Sequence, residues 1–150
     1  MEKIVFDSGV KEYEINNNGV LRFNPGDPNV YARFLEAAKK IQAIEANLTE
    51  QAKMQKDQEE GAAALELLIE ADRQMKDVLT WVFGEGNDFD KILGGVNLMA
   101  VACNGERVIT NLLNALLPII EQGASDCAKQ QVGDAVQQAR QNRAQRRAQK

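Results

Sequence analysis

The side chains best equipped for chemistry in this chain are two cysteines, Cys103 and Cys127, two serines, Ser8 and Ser125, and the acidic trio Glu85, Asp88 and Asp90. A serine or thiol nucleophile needs a base to activate it, and the commonest one is missing because the 150 residues include no histidine. No G-x-S-x-G elbow surrounds either serine. The cysteines are far apart and lack C-x-x-C spacing, so they read as two reduced thiols, with Cys103 as a small buried hydrophobe. The acidic trio opens like a calcium loop but lacks the loop glycine and the final glutamate, so helix capping is the better reading. Gly84-Glu85-Gly86 has neither the third glycine nor the preceding strand of a dinucleotide-binding turn. The sequence therefore assigns no catalytic residue, no metal ligand and no cofactor, and the expectation is a protein that is not an enzyme.

Charge is the next signal. The net charge is −4, but residues 129–150 hold six Lys/Arg against one acid, while residues 1–128 hold twelve against twenty-one. An acidic body thus precedes a basic, Gln-rich tail in which Arg140, Arg143, Arg146 and Arg147 are the candidate contacts for phosphate or carboxylate. No aromatic residue stands near them to stack on a base, which makes nucleic acid the weaker expectation. A solvated tail, either a marginal helix or disordered, is the plainer one.

The elements that would position any site are legible from periodicity. Ile4 and Phe6, Tyr13 and Ile15, and Leu21 and Phe23 alternate like short strands between turn signals at Ser8-Gly9 and Asn16 to Gly19. They predict an antiparallel ribbon over residues 3–24, too small to stand without a helix or another chain against it. Asp27-Pro28 opens the first helix as N-cap and first-turn proline, and Val30, Phe34, Ile41 and Leu48 give it one apolar stripe. The stripe fades over residues 49–61, where the helix is expected to run on or bend. Ala62 to Phe83 is a second helix with Leu65, Leu68, Ile69, Met75, Val78, Leu79 and Val82 on a broad face. Trp81 reads as a core anchor and Gly84 as the C-terminal cap.

Asp88 to Gln122 carries most of the long aliphatic residues that follow. One helix is expected from Asn87 or Asp88 through Cys103, weakened by Gly94-Gly95, then a turn or kink at Asn104-Gly105. A last helix from about Glu106 is apolar over more than half its circumference, and Pro118 should kink or end it. Such a helix is either central in a bundle or covered by another subunit or a client. It is no membrane span, because the run is interrupted by asparagines, Glu106 and Arg107, and each charge would cost ~2.5 to 3.5 kcal/mol at a bilayer centre. The fold expected is α+β and mainly α: one domain over residues 1–125, with a β ribbon and a bundle of about four helices over residues 27–123, and the tail at 126–150.

Two segments carry a resemblance: FNPGDPNVYARF, Phe23 to Phe34, and DFDKILGGVNLMAVACNGERVITNLLNALLPII, Asp88 to Ile120. Together they resemble a family of small proteins encoded in tailed phages and prophages of Firmicutes and related gut bacteria, which look like siphophage tail assembly chaperones. The likeness covers most of residues 3–123 and lies in packing motifs, not in catalytic signatures. It implies a non-catalytic protein of the host cytoplasm, absent from the mature virion. Such a protein keeps the tape measure protein soluble and assists polymerisation of the major tail protein, and a homo-oligomer is expected. The client groove is expected between the second helix and the Asp88 to Gln122 stretch, with Trp81, Phe89, Met99, Leu113 and Leu117 as contacts. The alternative is a nucleic-acid-associated or scaffolding protein acting through the basic tail.

Overall fold

A computed structural model describes residues 1–54 and 60–149. Two strands, β1 (Lys11–Ile15) and β2 (Gly19–Phe23), precede helices α1 (Pro28–Met54), α2 (Glu60–Phe83), α3 (Phe89–Ile92) and α4 (Val108–Ala148). The class is α+β and mainly α, as the patterning predicts. Residues 55–59, where the first helix was expected to run on or bend, lie outside the described residues.

β1 and β2 form an antiparallel hairpin in the register Lys11↔Phe23 to Ile15↔Gly19. Its turn uses Asn16 and Asn17 at φ 49° and 61°, a backbone region that asparagine tolerates better than other side chains. Of the two or three strands expected, two form: residues 1–10, with Ile4 and Phe6, join no strand of the sheet. One face of the hairpin is buried. Leu21 and Phe23 enter the core, and an aromatic chain runs from Tyr13 through Phe23 and Phe83 to Phe89, with ring centroids 5.0, 4.9 and 6.0 Å apart.

α1 starts as its sequence dictates. The Asp27 carboxylate accepts from the Asn29 N–H at 2.9 Å, and Pro28 stands where a missing N–H costs nothing. Val30, Phe34, Ala37 and Ile41 are buried on one stripe. They meet Ala71, Met75, Leu79 and Val82 of α2, which share the same core; a fully buried side chain of this kind contributes about 1.5 to 3 kcal/mol. The two helices run antiparallel, since Lys40 lies on Trp81 and Leu48 lies beside Leu67. Gly84, at φ 106°, closes α2 with its N–H on the Thr80 carbonyl.

Several expectations are corrected. Trp81 is no core anchor: it is 40% exposed, with the Lys40 ammonium 3.6 Å above its ring. Leu65 and Ile69 are exposed, so the apolar face of α2 is narrower than its composition suggests. Cys103 is exposed too, not buried. The helix expected through Cys103 stops after four residues, because Gly94 and Gly95 adopt φ 67° and 76°. Their N–H groups turn back to the carbonyls of Lys91 and Asp90, which is the Schellman way of ending a helix. Any side chain at Gly94 would meet the Asn18 amide, so the stop also seats the hairpin turn on α3. Pro118, in contrast, does not end α4. Both Pro118 and Asn114, whose carbonyl it leaves without an N–H, are exposed, so water meets the vacant acceptor. Of the two forms expected for the tail, a marginal helix or disorder, the structure has exposed helix, which continues α4 to Ala148.

Candidate functional site

The segment between α3 and α4 decides which surfaces are closed and which stay open. Its α2 side is tied down by polar groups. The Asp72 carboxylate accepts from the Leu98 N–H at 2.7 Å, and the Asn97 amide donates to the Leu68 carbonyl at 3.2 Å. Lys76, only 8% exposed, bridges Asp72 at 2.9 Å and Asp90 at 2.6 Å. Burial pushes the Lys76 ammonium down, but the hydrogen bonds to Asp90 and Asp72 outweigh it, and its pKa is raised. The same segment then caps α4. Arg107 supplies no side-chain cap; instead the N–H groups of Val108 and Ile109 donate to the carbonyls of Ala100 and Leu98, both at 2.9 Å.

Asn87 does for the hairpin what Asp72 does for the loop. It is 6% exposed, accepts from the Arg22 N–H at 2.8 Å and donates to the carbonyls of Arg22 and Phe83 at 3.0 Å each. An amide side chain thus copies a neighbouring strand and plugs the outer edge of β2.

The opposite side of the α3–α4 segment is open. A groove of about 490 Å³ lies between β1 and α4, lined by Tyr13, Ile15, Leu93, Val96, Leu112 and Ile119 among others. A second hollow of about 350 Å³ shares Tyr13 and Ile119 with it and extends past Pro25 and Pro118 toward Asp126. The two make one seam along β1. Only Ile109, Leu116 and Ile120 of α4 are buried; Leu112 and Ile119 are half-buried along the seam, while Leu113 and Leu117 are half-buried without lining it. At the far end of the seam α4 comes down on the link from hairpin to α1: Gly123 lies so close to the Pro25 carbonyl that a Cβ there has no room.

The five contacts expected from sequence are not gathered in one place. Phe89 and Met99 are core residues, at 3% and 4% exposure. Trp81 lies beneath Lys40 on the α1 side. Leu113 lines a small cleft of about 170 Å³ with Ala38 and Ile41, and Leu117 is half-buried on α4. The boundary between α2 and the Asp88 to Gln122 stretch, where the groove was expected, is the side closed by Asp72, Lys76 and Asn97. Tyr13 and Ile15 were legible as strand residues, but nothing in their alternation says that they face α4 across an empty seam. Arg140, Arg143, Arg146 and Arg147 are all exposed on the last turns of α4. At about 100° per residue, Arg140, Arg143 and Arg147 fall within a sector of about 60° on one face of the helix.

Among the described residues no group of three His, Cys, Asp or Glu side chains is placed to hold a metal ion. No helix among them is long and apolar enough to cross a membrane. Compared with family models, curated proteins and solved structures, the chain finds no match.

Proposed function

We propose that this protein is a non-catalytic tail assembly chaperone of a siphophage or prophage, and that it holds an apolar segment of the tape measure protein in the seam between β1 and α4. The observation that supports this best is the seam itself: a groove of about 490 Å³ with half-buried Leu112 and Ile119 on one wall and Tyr13 and Ile15 on the other. Apolar walls with a backbone edge beside them suit an extended or amphipathic client segment. The client reading itself rests on the resemblance of Phe23 to Phe34 and Asp88 to Ile120. In this reading the protein acts in the cytoplasm of the bacterial host, helps the major tail protein polymerise, and leaves before the virion is complete.

Co-expression with the tape measure protein tests the proposal. The soluble fraction of the client is expected to rise several-fold with the wild-type chain and to stay at its unassisted level with Leu112→Glu, which puts a charge into the groove. Equal client solubility with and without the wild-type protein overturns the reading.

A second reading has one observation in its favour, the helical sector of Arg140, Arg143 and Arg147. A nucleic-acid-associated or scaffolding role predicts binding that weakens steeply with salt and vanishes when residues 129–150 are removed.

A further inference from the structure

Residues 1–10 are the least explained part of the molecule. Ile4 and Phe6 alternate as a strand should, yet they are 90% and 77% exposed, and Val5 and Val10 are exposed beside them. The base of the arm is tied down: the Asn24 amide donates to the Ser8 carbonyl at 3.1 Å, and within the arm the Gly9 N–H donates to the Asp7 carboxylate at 2.8 Å with Gly9 at φ 76°. This link at Asp7 to Val10 is the place where a hairpin would fold the arm back onto β1. It is held open instead, with the Asn24 side chain packed where a Gly9 Cβ would be.

The arm lacks a sheet, and the sheet lacks a strand. Arg22 turns its N–H and carbonyl away from β1 to Asn87, so its cross-strand partner Glu12 must turn its own pair to the outer edge of β1, and Glu14 does the same two residues on. These groups find no backbone partner among the described residues. The β2 edge is plugged by Asn87, whereas the β1 edge is free and opens directly onto the apolar seam.

We propose that the arm of one copy adds as a third strand to the β1 edge of a second copy, and that two copies exchange arms reciprocally. The register follows from the four-residue link, since exchange conserves the pairing that a closed hairpin would make. Phe6 then lies opposite Lys11, Val5 opposite Glu12, Ile4 opposite Tyr13 and Lys3 opposite Glu14. This register sends Ile4 and Phe6 to the same face as Tyr13 and Ile15, into the groove; a slip of one residue would send both to solvent. It also sets Lys3 against Glu14, an opposite-charge pair on the outer face. Backbone pairing along Glu12 and Glu14, burial of two exposed apolar side chains and one charge pair are each made twice in a two-fold assembly. The proposal is independent of the client reading, because it concerns what fills the seam when only this protein is present.

Light scattering on the full chain, compared with Phe6→Asp, gives the first test. Phe6 is 77% exposed and lies outside the core, so the variant is expected to keep the wild-type circular dichroism and lose only the assembly. The wild type is expected at the mass of two chains and the variant at the mass of one. A wild type at the mass of one chain, or a variant unchanged in mass, overturns the proposal. The second test uses native residues: ¹⁴N and ¹⁵N copies are unfolded together, refolded, and treated with a carbodiimide that joins Lys3 to a neighbouring carboxylate. Lys3–Glu14 or Lys3–Glu12 links in mixed-isotope peptides are expected; such links in single-isotope peptides alone would mean that each arm folds back on its own β1, and would overturn it.

Discussion

The two sides of the α3–α4 segment have the same kind of sequence and opposite fates. Toward α2 every buried polar group has a partner, through Asp72, Lys76, Asn97 and Asn87, and no buried side-chain polar atom among the described residues is left without one. Toward β1 and α4 the lining is mostly apolar, with Glu14, Asn16 and Asn111 among it, and the groove is unfilled. The difference teaches that aliphatic content does not decide which side closes. A surface closes when directional polar contacts hold two elements in one relative position, because dispersion between aliphatic side chains is tolerant of where they meet. The closed side is built for stability, and the open side leaves the molecule something to bind with.

The sharpest way to break this contrast is Asn87→Ala. It strips partners from the N–H and carbonyl of Arg22 and from the carbonyl of Phe83, and a loss of about 3 kcal/mol is expected in urea unfolding. Lys76→Met should cost about 2 kcal/mol, because it leaves the largely covered Asp72 carboxylate without its cation while the exposed Asp90 simply turns to water. That contribution has a pH signature. Since the folded Lys76 pKa is raised above the ordinary 10.5, its stabilisation is complete below that value and is lost as pH rises through the folded pKa. The gap between wild type and Lys76→Met in unfolding midpoint should therefore hold steady at neutral pH and narrow only in strong alkali.

On the open side the balance is expected to reverse. Leu112→Ser removes a half-buried side chain and should cost only about 1 kcal/mol, while client solubilisation falls to its unassisted level; a loss as large as that of Asn87→Ala would show the seam to be core after all. The smallest effect is expected at the surface. Arg73 and Gln74 hold the Glu70 carboxyl down at about 2, so any help it gives is present above the ordinary carboxylate range and fades as pH falls toward 2. The group is fully exposed, and Glu70→Gln should leave the neutral-pH unfolding midpoint within experimental error.

Much of the framework was legible because its signals are local. Asp27-Pro28 starts α1 and Gly84 ends α2 by backbone chemistry that needs no distant partner. The pair Gly94-Gly95 shows where local reading ran out. Its cost to a helix was visible, but the stop itself depends on the Asn18 amide occupying the space beside Gly94, and Asn18 is some seventy-five residues away in the chain. Trp81 failed for a similar reason: its size argues for burial, yet it lies at the surface, 40% exposed, with the distant Lys40 over its ring. The candidate site was hidden most completely. Tyr13, Ile15, Leu112 and Ile119 were each legible as apolar positions, but their convergence depends on where Gly123 lets α4 rest against Pro25.

By itself, then, the sequence determined the hairpin, the two long helices that follow it, the start of α1 and the end of α2, because periodicity, caps and turn residues act over a few neighbouring residues. Only the tertiary structure decided which of those faces are covered. That choice lies with long-range polar contacts such as Asp72 to Leu98 and Asn97 to Leu68, which closed one side of the Asp88 to Gln122 stretch and left its other side as an open seam beneath an unpaired strand edge.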